Sequence, residues 1–184
     1  MSREPVYTIG HSNRPLDVFV ALLRQVGVQM LVDVRAYPRS RANPQYNRDV
    51  LPASLQEVAI RYEHLAALGG RRRGRRDGTP SPNAFWQHPA FRSYADYAGT
   101  PEFRAGLTDL LALSKLHTCA IMCSEALWWR CHRRIIADYL LAAGTTVRHI
   151  MGEDKVVAAE LTAGAVMLAD GSVRYPQPAP DTAP

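Results

Sequence analysis

The chain has 184 residues, 47% hydrophobic and 21% charged, which fits one soluble globular domain with a full core and excludes a largely disordered chain. No apolar run approaches the roughly 20 residues that cross a bilayer, and the start, Met1-Ser2-Arg3-Glu4-Pro5, has no apolar segment behind it, unlike a secretory signal. Three cysteines, an odd number, argue against a disulfide framework, so the expected location is the reducing cytoplasm, away from membranes.

Taken in chain order, the elements alternate. Val6-Tyr7-Thr8-Ile9 reads as a strand stopped by Gly10. Pro15 to Val26 reads as a helix, with Leu16, Phe19, Val20, Leu23 and Val26 at helical spacing and Gly27 as its stop. Val28 to Val34 is a second buried strand, and Ala36 to Arg48 is too polar and broken for a regular element. A short helix over Leu51 to Ala59 and a strand over Ile60 to Leu65 follow. Gly69 to Pro82 is a Gly/Arg loop. Pro89 to Tyr97 and Pro101 to Leu113 are two helices, each opening on a proline. The run Thr118 to Met122 is a strand that hands over at Cys123 to a helical pattern from Ser124 to Ala143, and Thr146 to Ile150 is a further strand.

This alternation predicts an α/β fold in three layers, a mostly parallel sheet with helices on both faces. Residues 1–150 form the main unit, residues 151–175 are expected as a C-terminal extension of the same domain, and residues 176–184 as a disordered Pro/Ala tail. Within the extension, Val166 to Tyr175 reads as a small hairpin around Asp170-Gly171.

The charge is unevenly placed. Two lysines and 20 arginines stand against 17 acidic residues, and five of the arginines fall in Arg71-Arg72-Arg73-Gly74-Arg75-Arg76. That loop alone equals the net charge of +5. It is either a solvated surface loop or a phosphate-contacting finger, since guanidinium forks match phosphate oxygens.

Ligands of parallel sheets gather at the carboxyl ends of the strands. Three polar clusters fall there: Gly10-His11-Ser12-Asn13, Asp33-Val34-Arg35 and Cys123-Ser124-Glu125. Cys123, at an expected helix entrance, would have its thiol pKa lowered by the helix dipole; its bland alternative is a small buried apolar residue. Glu125 and His132, seven residues apart, would share a helix face as acid–base partners. Cys131 continues the stripe Leu127, Trp128, Ile135 and Tyr139 and reads as core, while Cys119 reads as strand interior. His11 and Ser12 are a base and a hydroxyl, or a helix cap. Asp33 and Arg35 share a strand face, as a plain ion pair or as an anion-binding arginine with its acid. Arg39, Ser40, Arg41 and Arg133 add donors, and Trp86, Trp128 and Trp129 are stacking surfaces or packing.

Familiar signatures are missing: no Walker loop, no Gly-x-Gly-x-x-Gly and no Cys-x-x-Cys. From Cys123 to Arg130 is one residue too long for a phosphatase-type anion loop. A metal set of Cys123, Cys131, His132 and His11 has no recognised spacing, so neither metal nor cofactor is expected.

As a set, these motifs resemble the DUF488 family, a domain of unknown function. The resemblance rests on Thr8-Ile9-Gly10-His11-Ser12-Asn13, Asp33-Val34-Arg35 with Pro38, Ser40-Arg41, Pro44 and Asn47, then Leu68-Gly69-Gly70, Trp86, Met122-Cys123-Ser124-Glu125 and Cys131-His132-Arg133. It runs from about Tyr7 to Ile150 and implies a compact α/β domain with these motifs clustered, but no activity. The expected function is an enzyme acting on a nucleotide or nucleic acid, with Cys123, Glu125, His132, His11 and Asp33 at the reaction centre. Arg35, Ser40, Arg41, Ser12, Arg133, Arg71, Arg72, Arg73 and Trp86 would hold the substrate. The alternatives are a non-catalytic nucleic-acid module built on the arginine loop, and a thiol-based sulfur or redox protein. The sequence sets no oligomeric state.

Overall fold

The computed structural model describes residues 4–75 and 77–178. Met1 to Arg3, on which the reading of the N-terminus rests, lie outside the described residues, as do Arg76 of the arginine run and 179–184 of the expected tail. Five strands, β1 (Val6–Gly10), β2 (Met30–Asp33), β3 (Arg61–His64), β4 (Cys119–Cys123) and β5 (Val147–Gly152), run parallel. A sixth, β6 (Lys155–Ala158), returns antiparallel against β5, giving the order β3-β2-β4-β1-β5-β6. The sequence reading had no strand at β6, which lies on the sheet edge with its residues largely exposed and so lacks an apolar signature.

Strands β1, β2 and β4 are buried on both faces, as crossover helices require. Alternate residues therefore feed two cores. Tyr7, Ile9, Leu31, Ala120 and Met122 pack with α1 (Leu16–Arg24) and α2 (Leu51–Gln56). Val6, Val32, Cys119 and Ile121 pack with α3 (Pro89–Ala98), α4 (Pro101–Leu116) and α5 (Arg133–Ala142). Each fully buried aliphatic side chain contributes about 1.5–3 kcal/mol of transfer free energy, so both layers are needed to hold the sheet. Gly27, in the left-handed region at φ 70°, ends α1 as expected.

One helix differs from expectation. The pattern from Ser124 to Ala143 becomes a nine-residue excursion followed by α5, with a single 3-10 turn at Trp128–Arg130. Side-chain contacts across the sheet end hold the excursion out of a helix. Trp128 stacks flat on His149 of β5, ring centres 4.2 Å apart, and the Arg133 guanidinium holds the Glu125 carbonyl. Gly10 lets this backbone cross the end of β1, because a Cβ there would overlap the Glu125 carbonyl oxygen.

The C-terminal hairpin, β7 (Val166–Met167) with β8 (Val173–Arg174), turns through Asp170 and Gly171. Val173 and Tyr175 reach the core beside α5, where the Tyr175 hydroxyl donates to the buried Asp138 carboxylate at 2.8 Å. No helix among the described residues is long and apolar enough to cross a membrane.

Candidate functional site

Strand β4 enters the sheet between β2 and β1. The chain leaves β1 and β2 toward the α1/α2 face but leaves β4 toward the α5 face. Connections that diverge from neighbouring strand ends open a crevice at the carboxyl edge, the usual place for a ligand in an open α/β sheet. Gly10 pairs with Cys123 and Asp33 with Met122, so the three polar clusters end level with one another. They meet in a cleft of about 820 Å³ lined by His11, Ser12, Arg35, Cys123, Glu125 and His132, among others.

The floor is a sulfur–imidazole group. The Cys123 and Cys131 Sγ atoms and a His132 ring nitrogen all lie within 4.8 Å of one another. His132 Nδ1 is 3.6 Å from the Cys131 sulfur and 4.0 Å from that of Cys123. Its Nε2 donates to the Val34 carbonyl at 2.8 Å, which fixes the tautomer and leaves the Nδ1 lone pair facing the sulfurs. Gly70 makes room for the ring, and Tyr94 packs against it edge-on at 4.9 Å.

Arg133 is 1% exposed and serves this floor from behind. Its Nε donates to the Cys131 sulfur at 3.3 Å, and its other nitrogens reach Thr8 and the Glu125 carbonyl. Burial pushes the Cys131 thiol up, but the neighbouring Cys123 and the Arg133 guanidinium more than offset it and hold it below its ordinary value. Cys123 is held above its ordinary value by the neighbouring Cys131 and by burial. Cys123 ends β4 and does not open a helix, and Cys131, read as core, is the sulfur that the buried Arg133 serves.

Beside the floor lies a second buried group. Asp33, fully buried, takes Arg35 in a bidentate pair, with Nη2 to Oδ2 at 2.6 Å and Nε to Oδ1 at 2.9 Å. Tyr62 donates to the same carboxylate at 2.6 Å, its phenol held above its ordinary value by burial and by that carboxylate. Arg35 also donates to the Tyr46 carbonyl and to His11 Nε2 at 3.2 Å. His11 Nδ1 donates to the Ser12 carbonyl at 2.7 Å, and the ring stacks on Tyr46. Both imidazole nitrogens are engaged, and burial lowers the His11 pKa to about 4. Asp33 and His11 fix Arg35, which matches the ion-pair alternative read for Asp33, while His11 has no free ring nitrogen for the base role that was one reading of it.

Other expected residues separate. Glu125 lines the cleft from the excursion and caps the Leu127 amide, so it shares no helix face with His132. Ser40 lines the cleft and shapes its loop by accepting from the Asn43 amide at 3.0 Å; Arg41 is exposed outside it. Ser12 stays at the rim with φ 50°. Of the arginine run, Arg71 reaches the cleft, whereas Arg72 lies over the Tyr97 ring at 3.8 Å and Arg73 lines a separate groove. Trp86 is buried in the core between Phe91 and the Arg134 guanidinium, so it offers no stacking surface.

At the mouth of the cleft, sequence reasoning named Arg39 as a donor and Trp129 as a stacking surface, but it gave Arg130 no role and did not single out Tyr37. Arg39 and Arg130 stand there with Arg71, and none of the three has a carboxylate within ion-pair distance among the described residues. Glu125 is the one acidic residue lining the cleft among the described residues. Tyr37, 70% exposed, and Trp129, 44% exposed, supply open aromatic faces at the same mouth. Arg130 and Tyr37 carried no periodic or motif signal, and that Arg39 and Arg130 have no carboxylate partner among the described residues is a tertiary fact.

No curated protein and no solved structure matches the chain. A family model does, over residues 15–140, taking in β2, the arginine loop, both cysteines of the floor and most of α5. With more than half of its length matched, the chain belongs to the DUF488 family, a domain of unknown function.

Proposed function

We propose that the protein is an enzyme acting on a phosphate-bearing nucleotide or single-stranded nucleic acid held in this cleft. One observation carries the reading: three arginines without a carboxylate partner among the described residues, Arg39, Arg71 and Arg130, stand beside the open rings of Tyr37 and Trp129 above the Cys123–Cys131–His132 floor. Guanidinium groups take phosphate oxygens, exposed aromatic faces stack bases, and the floor supplies the reactive atoms. Arg35, fixed by Asp33 and His11, holds a rigid donor between mouth and floor. Ordered donors of this kind lose little freedom when an anion binds.

The test is a fluorescence titration with a single-stranded oligonucleotide at several salt concentrations. Binding by the unaltered protein weakens as salt rises. Replacing Arg39, Arg71 and Arg130 together by Ala weakens binding and reduces the logarithmic salt slope by about 2, near 0.7 for each lost phosphate contact. Cys123→Ala keeps binding and loses turnover. Binding that ignores the triple replacement sinks the reading.

A second reading, a non-catalytic nucleic-acid module, draws on the groove where Arg72, Arg73 and Arg75 lie with Arg104 and Arg174. It has less support, since Arg72, Arg75 and Arg104 each have a carboxylate partner. Oligonucleotide affinity that falls only when Arg72, Arg73 and Arg75 are replaced favours it.

A further inference from the structure

The geometry points to a zinc site made by Cys123 Sγ, Cys131 Sγ and His132 Nδ1, with its fourth position open to the cleft. It is independent of the substrate reading, because three ligands converge whatever the cleft holds. Tetrahedral zinc with bonds of about 2.3 Å to sulfur and about 2.0–2.1 Å to nitrogen has ligand–ligand edges of about 3.5–3.8 Å. The His132 nitrogen stands 3.6 and 4.0 Å from the two sulfurs before any metal enters, so little movement is needed.

The imidazole is presented as a metal-binding histidine is. Its Nε2–H is spent on the Val34 carbonyl, which directs the Nδ1 lone pair at the sulfurs. Arg133 donates to the Cys131 sulfur and supports its thiolate. Gly70 and Tyr94 hold the ring in place. His11, included in the set suggested by sequence, stays outside, because Ser12 and Arg35 occupy both its nitrogens.

On binding, whatever proton the two sulfurs still hold passes to water, two S–Zn bonds and one N–Zn bond form, and the dication is neutralised by two thiolates. Thiolate and imidazole donors select zinc over magnesium or calcium. Three protein ligands with an open position match catalytic rather than structural zinc sites.

The experiment is zinc analysis and zinc-edge X-ray absorption on the full chain. The expected result is one zinc per chain with two sulfurs at about 2.3 Å and a nitrogen at about 2.0–2.1 Å. Cobalt in its place gives thiolate charge-transfer bands and the strong visible bands of a tetrahedral ion. Cys123→Ser and Cys131→Ser each lower zinc affinity by at least about 100-fold, and Cys119→Ser, which alters a buried residue of β4 outside the trio, leaves it unchanged. Gly70→Ala keeps all three ligands but sets a Cβ 2.9 Å from His132 Nδ1, and it too lowers affinity. Absence of zinc binding, or a metal shell without sulfur in the unaltered chain, overturns the site. Oligonucleotide binding on the same samples separates the outcomes: binding without zinc sinks the metal alone, and zinc without oligonucleotide binding sinks the substrate reading alone.

Discussion

Gly10 and Gly70 show why single residues at this cleft resist substitution. A Cβ on Gly10 would meet backbone, the Glu125 carbonyl and the Ala126 Cα, which cannot rotate away as a side chain can. Gly10→Ala should therefore cost at least about 2 kcal/mol, in the range of severe overpacking. A urea titration reads this as a lower midpoint at unchanged slope, and an unaltered midpoint would contradict the crossing described here. The motif around Gly10 was legible in the sequence; the reason for the glycine was not, since the segment it admits lies over a hundred residues away. Cys131 was hidden differently. Its spacing from Ile135 and Tyr139 mimics a helix stripe, but it sits just before α5 and its surroundings are set by Arg133 and His132.

At the level of elements, hydrophobic runs and proline or glycine punctuation found all five parallel strands and placed α1 to α4 within a few residues. They failed where long-range contacts override local pattern. Residues 124–132 have helical periodicity, yet Trp128 finds a better partner in His149 than any turn of helix provides. The hairpin was legible from Asp170-Gly171, but its anchor was not. Tyr175 closes onto Asp138, and Asp138 also accepts from the Thr162 amide at 2.9 Å. Tyr175→Phe leaves a buried carboxylate short of one donor, at a cost of about 1–3 kcal/mol. Hydrogen exchange should quicken in β7 and β8 while β1 and β4 stay protected. Equal protection throughout would show that the hydroxyl anchors nothing.

Across the whole molecule, the carboxyl edge of the sheet was legible as the place where the polar clusters meet, because strand ends can be read from apolar runs. Which arginines face it was legible only in part: Arg39 and Arg71 were read as donors, whereas Arg130 was not, and Arg41 lies exposed outside the cleft. Folding also buries two neutral imidazoles, and this sets a pH limit. His11 and His149 are both lowered to about 4, chiefly by burial. The unfolded chain takes up these protons near the ordinary value of about 6.5. Stability is therefore full above about 6.5 and falls as the pH drops toward 4, by up to roughly 3 kcal/mol for each ring. Urea midpoints at pH 7 and pH 5 should show a clear drop, smaller in His149→Gln. Equal midpoints for the unaltered chain would mean that neither ring is held neutral.

The convergence of floor and mouth on one bound anion is tested most directly by a crystal structure with a nucleoside monophosphate. The phosphate should lie among Arg39, Arg71 and Arg130, with the base against Tyr37 or Trp129 and the Cys123–Cys131–His132 group beneath. A nucleotide bound instead in the groove of Arg73 and Arg174, with this cleft left to solvent, would contradict the account.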